Sequence, residues 1–142
     1  MHGLSLAEVS HVIALATAPS FLLGAVVAFV SLLLMRAGRI FDDLKILDEP
    51  ESGHPRHHRI KADLPLLRRR ARLIHASIAI STMSGGATAL LVVLAFLGAL
   101  MDLDTEIAVA SLFVAALLLF VIALYLFAHE ALLGLREFRR YL

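Results

Sequence analysis

Hydrophobic positions in this chain do not alternate with polar ones; they run together. Residues 12–35 carry no charge, residues 73–101 are broken only by His75, and residues 107–128 are again uncharged. A helix that crosses a bilayer needs about 20 mostly apolar residues. Runs of this length exceed any ordinary core strand. The pattern therefore predicts an all-α protein with three transmembrane helices at about 12–35, 73–101 and 107–128. Ala16-Thr17-Ala18 has the small-residue form of a leader cleavage site. No Lys or Arg precedes it, Pro19 follows it and the apolar run continues, so the segment is read as a span.

Outside the runs the period changes to that of amphipathic helices. Ser5 and Glu8 have capping-box spacing, which starts helix one there. Pro19 then falls inside it and predicts a kink, tolerated in membrane helices. Ile40, Leu44 and Leu47 keep helical spacing beyond Met35. Pro50, Gly53 and Pro55 predict a loop over 48–61. Asp63 reads as the N-cap of helix two, with Pro65 in its first turn and Leu64, Leu67, Ala71 and Ile74 as its stripe. Residues 36–72 thus predict a helical hairpin with its loop at 48–61. Asp104 reads as the cap of helix three, whose tail covers 129–142. The whole chain, 1–142, is expected to form a single membrane domain.

Charge sets the orientation. All thirteen Lys and Arg residues lie between spans one and two or in the tail; the 101–106 loop has only Asp102, Asp104 and Glu106. Basic residues stay on the cytoplasmic side. The expectation is an N-terminus outside, a cytoplasmic hairpin, and a C-terminus inside, in a bacterial cytoplasmic (inner) membrane. Composition agrees, with 60% hydrophobic residues against about 45–50% in soluble domains. The net charge is only +1 and there is no Cys, so a global field for polyanions and any thiolate chemistry are both excluded.

Polar residues inside the runs are candidates for function. Ser77, Ser81, Ser84, Gly85 and Thr88 share one face of span two. Such a face either packs helices or lines a wet path. Span one has a similar series at Ser10, Ala14, Thr17, Gly24, Ala28 and Ser31. Glu8 and His11 would form an outer mouth in an oligomer, or else a helix cap and an interfacial His. At the inner end, Arg36, Arg39, Asp42, Arg68, Arg69, Arg70, Arg72 and Glu130 form a cluster for ion pairs or lipid headgroups. An unpaired carboxylate at a span end is costly, so Glu130 is expected to pair with Arg36 or with one of the arginines 68–72. Arg68-Arg-Arg-Ala-Arg is too short for nucleic acid and sits beside a span, where anionic lipid headgroups are the nearer partner. His54, His57 and His58 lie among arginines that oppose a metal ion. No P-loop, GxGxxG, GxSxG or HExxH occurs. No enzyme activity, cofactor, metal or nucleic-acid partner is expected.

Several short motifs occur in a telling order. They are Pro19-Ser-Phe-Leu-Leu, Arg36-x-x-Arg39-Ile40-x-Asp42, Asp63-Leu-x-Leu-Leu leading to Arg69-Arg-Ala-Arg-Leu-Ile, and Phe127-x-x-Glu130. In these the chain resembles the bacterial domain of unknown function 2721 family of small membrane proteins. Asp43 and Asp63 depart from the basic residue and the Glu that the resemblance implies there. The resemblance implies the architecture and no activity. Two functional readings follow from the residues. One is a small homo-oligomeric channel or transport protein. The alternative is a non-catalytic membrane scaffold or accessory subunit whose cytoplasmic hairpin binds a partner protein or anionic lipid.

Overall fold

The computed structural model describes residues 5–47, 57–140 and 142. Among them the fold is all-α, with α1 (Leu6–Leu47), α2 (His57–Ala62), α3 (Leu64–Met101) and α4 (Glu106–Arg140). The three long helices are each long and apolar enough to cross a membrane. They contain 42, 38 and 35 residues, or about 63, 57 and 52 Å at 1.5 Å per residue. A bilayer with its headgroups is about 40–45 Å thick, so each helix is longer than the membrane.

The helix ends follow local chemistry. Ser5 Oγ accepts from the Glu8 N–H at 3.2 Å, and Glu8 Oε2 accepts from the Ser5 N–H at 2.8 Å, a reciprocal capping box. α1 continues through the buried Pro19. Nearby hydroxyls bind backbone on either side: Thr17 donates to Ile13 O at 3.0 Å and Ser20 to Ala16 O at 2.7 Å. α3 ends where Asp102 takes a left-handed φ of 54°. The Leu103 N–H then reaches back to Gly98 O at 2.9 Å, the six-to-one bond of a Schellman ending. The next helix starts one residue later than the expected Asp104 cap. Thr105 O accepts the Val109 N–H at 2.9 Å, so Thr105 holds the cap position. The Thr105 side chain occupies the space that a Cβ at Gly98 would need, so the turn requires glycine there.

The expected loop over 48–61 is shorter at its far end. Residues 57–62 form α2, because no breaker follows Pro55 and Ile60 can bury itself. Asp63 joins α2 to α3: its N–H donates to Arg59 O at 3.0 Å and its carbonyl accepts from Leu67 at 2.9 Å. Residues 48–56, including His54, lie outside the described residues, as does the His57 side chain.

The contacts group into two compact units, and each long helix contributes to both. Unit one comprises Met1–Phe29 and Ile80–Val121. Its buried positions include Leu22, Val26 and Phe29 on α1, Ser81, Ser84, Thr88 and Leu91 on α3, and Ala116 on α4. Steps of three and four define knobs-into-holes seams. Phe29 and Phe120 meet edge to face at 5.5 Å, and Gly85 lets α3 close on Val26. Unit two comprises Val30–Ala79 and Ile122–Leu142. Its core joins Ile40, Ile60, Leu67 and Ile74, with Leu44 and Ala71 against them.

Candidate functional site

On α4 in unit two, Glu130 sits where a seam residue belongs, between the buried Ala123 and Leu133. Its side chain is 0% exposed, so its charge must be met inside the protein. Two arginines meet it. Arg36 of α1 approaches Oε2 with Nε at 3.0 Å and Nη2 at 2.8 Å. Arg70 of α3 approaches Oε1 with Nε at 3.0 Å. Arg70 Nη1 also donates to Glu137 Oε2 at 3.0 Å. The Arg36 guanidinium lies 5.4 Å from the centre of the Phe127 ring, a cation–π contact. Two arginines and two carboxylates make the network neutral.

Glu130, Gly134 and Glu137 are four and three residues apart, so they share one helix face. Arg70 lies along that face. A Cβ at Gly134 would stand 3.2 Å from its Nη2 and 3.5 Å from its Cζ. Gly134 thus makes room for a guanidinium that must reach a carboxylate on either side. Gly134 and Glu137 escaped the sequence reading. The signal available was this Glu-x-x-x-Gly-x-x-Glu spacing, with a glycine between two acids of like orientation.

Other candidate residues fall elsewhere. Arg39, Asp42, Arg68, Arg69 and Arg72 are exposed and outside this network. Asp43 lines an open pocket of about 480 Å³ in unit two with Arg59, Asp63, Glu137 and Phe138. His129 is next to Glu130 in sequence, yet its Nδ1 is buried without a hydrogen bond. Glu8 is engaged in the capping box, and His11 is exposed. The hydroxyl face of α3 is buried in both units. In unit two, Ser77 donates to Ala123 O at 2.8 Å. In unit one, Ser84 donates to Ala116 O at 2.7 Å and Thr88 to Ser84 O at 2.8 Å, while Ser81 Oγ is buried without a partner. These hydroxyls, with Gly85, pack helices within one chain.

A family model described as "Protein of unknown function (DUF2721)" matches residues 16–140. The chain belongs to this family. No curated protein and no solved structure matches it significantly. The DUF2721 match takes in the whole Arg36–Glu130–Arg70–Glu137 network and starts after Glu8 and His11. What the network does chemically is to clamp. Both oxygens of Glu130 are held by arginine donors, and the carboxylate has no access to solvent. Such a carboxylate ties α1, α3 and α4 together.

Proposed function

We propose that this protein is a non-catalytic scaffold or accessory subunit of a bacterial inner membrane. In this reading the N-terminus is outside, and the extensions of α1 and α3 form a cytoplasmic hairpin offered to a partner. The homo-oligomer, expected because three spans enclose little volume, is part of the same proposal. The observation that carries it is the neutral, buried clamp at Glu130. It consolidates unit two, which holds nearly all the charge, and leaves arginines facing outward. The channel reading loses the α3 face as a lining, because those hydroxyls are bonded or buried inside the chain; its other lining, the α1 series at Ser10, Ala14, Thr17, Gly24, Ala28 and Ser31, is exposed.

Photocrosslinkers at exposed unit-two positions Lys45, Arg136 and Arg139 test this in native membranes, with positions in unit one as the control. The expected result is a common protein adduct from unit two only. Crosslinks confined to a second copy of this chain would remove the accessory role. Solute or ion flux above empty vesicles, after reconstitution, would reinstate the channel.

A further inference from the structure

Sequence counts hide a segregation of charge in unit two. Its described carboxylates are mostly turned inward: Glu130 is fully buried, Glu137, Asp43 and Asp63 are half-buried, and Asp42 alone of them is exposed. Arg39 on α1 and Arg68, Arg69 and Arg72 on α3 are exposed, as are Arg136 and Arg139 on α4. Among its described residues, unit two therefore shows a mostly basic surface in a chain whose net charge is +1.

We propose that Arg39, Arg68, Arg69 and Arg72 form a binding face for the phosphates of anionic phospholipids. This deepens the reading above by naming what the outward arginines hold. Position is the first argument. Arg72 directly precedes the apolar run of α3, and Arg68 and Arg69 lie about 6–8 Å before it; Arg39 lies about 6 Å past Met35. The headgroup layer is roughly 5–8 Å deep on each side, so these guanidinium groups lie at phosphate level. Crowding is the second. Arg68 and Arg72 are four residues apart and Arg69 and Arg72 three, so they are neighbours on the helix surface and repel one another. A bridging phosphate relieves that repulsion, and guanidinium suits it through paired N–H donors. Leu34 and Met35 are the third, since both are exposed beside the charged segment and offer a bed for acyl chains. A soluble acidic partner would use the charge but not this apolar margin.

The test measures lipid retention by the full-length chain with native mass spectrometry, together with thermal melting. Micelles are doped with phosphatidylglycerol, with phosphatidylcholine, or with neither but inorganic phosphate. Phosphatidylglycerol is expected to stay bound and raise the Tm, and the other two are not. Each arginine near an anionic surface is worth roughly fivefold in affinity. Arg68→Gln, Arg69→Gln and Arg72→Gln together should therefore weaken retention on the order of a hundredfold. The triple variant should melt like the wild type in phosphatidylcholine; if it does not, Arg39→Gln alone provides a second test, with roughly fivefold weakening expected. Equal retention of both lipids, or undiminished retention by these variants, overturns the proposal. A shift from inorganic phosphate equal to that from the lipid overturns the lipid as its source. If lipid selectivity is absent while unit-two crosslinks persist, this inference fails and the scaffold reading stands.

Discussion

Removing Arg36 and Arg70 together should destabilise the protein by more than the sum of removing each. The structure gives the reason. Glu130 is 0% exposed and has one arginine on each oxygen. With Arg36→Ala the carboxylate keeps Arg70, and with Arg70→Ala it keeps Arg36. Each single change then removes a charge-assisted bonding set worth about 1.5–3 kcal/mol. Arg70→Ala also releases Glu137, but that side chain is 21% exposed and recovers water. The double variant loses both sets and also leaves the carboxylate buried with no donor, which adds the desolvation penalty of an unsatisfied buried group, about 1–3 kcal/mol. The expected coupling is therefore about 2 kcal/mol. Adding Glu130→Gln to the double variant removes the stranded charge and should restore about 2 kcal/mol. Glu130→Gln alone should cost only about 1–2 kcal/mol: Arg70 keeps Glu137, and the partly exposed Arg36 can turn toward headgroups. Reversible unfolding in mixed micelles, followed by far-UV circular dichroism, supplies the free energies. Additive single costs, with no recovery on adding Glu130→Gln, would refute the clamp.

Three further outcomes follow from the same geometry. Gly134→Ala should lower stability by about 1 kcal/mol, although alanine is the better helix former by a similar amount. The reason is that Arg70 is bonded on both sides of the new methyl group and cannot move away; the same unfolding assay reads it, and a net gain would show that Arg70 yields. Ser84→Ala should cost about 0.6 kcal/mol, the usual value of an interhelical bond in a membrane, whereas Ser81→Ala should be close to neutral because Ser81 Oγ has no partner. Equal effects at the two positions would count against this bonding pattern. Asp102→Gly should raise stability by about 0.5–1 kcal/mol, since glycine enters the left-handed region without the cost to a side chain, and a Tm measurement in micelles decides the sign.

The three apolar runs and the all-α class could be read from the chain directly, because only helices can satisfy the backbone over such lengths in lipid. The helix boundaries at Thr105 and His57 could not. A cap depends on which carbonyl closes the first turn, and α2 depends on a tertiary contact for Ile60. The ion pairs of Glu130 raise a subtler point. Four arginines stand at 68, 69, 70 and 72, and each step along the helix turns about 100°. A stripe drawn through apolar residues alone passes Leu67, Ala71 and Ile74, and so leaves Arg70 out. Yet Leu67, Ile74 and Ser77 are the buried positions, and the alternating three-four step from Leu67 toward Ile74 lands on Arg70. Arg70 faces inward because the seam runs through it, while its neighbours are carried round to the outside. The same rotation sets Glu130 and Glu137 inward on α4. Surface charge in unit two therefore depends on the phase of each helix, which local composition does not record. Inserting one neutral residue between Arg70 and Ile74 would test that dependence: counted back from Ile74, Ala71 or the inserted residue takes the step of Arg70, Arg68 takes the inward step of Leu67, and Arg70 turns outward, at unchanged net charge. The expected result is loss of the clamp's stability together with altered lipid retention. Retention unchanged in such a variant would mean that total charge alone governs the surface.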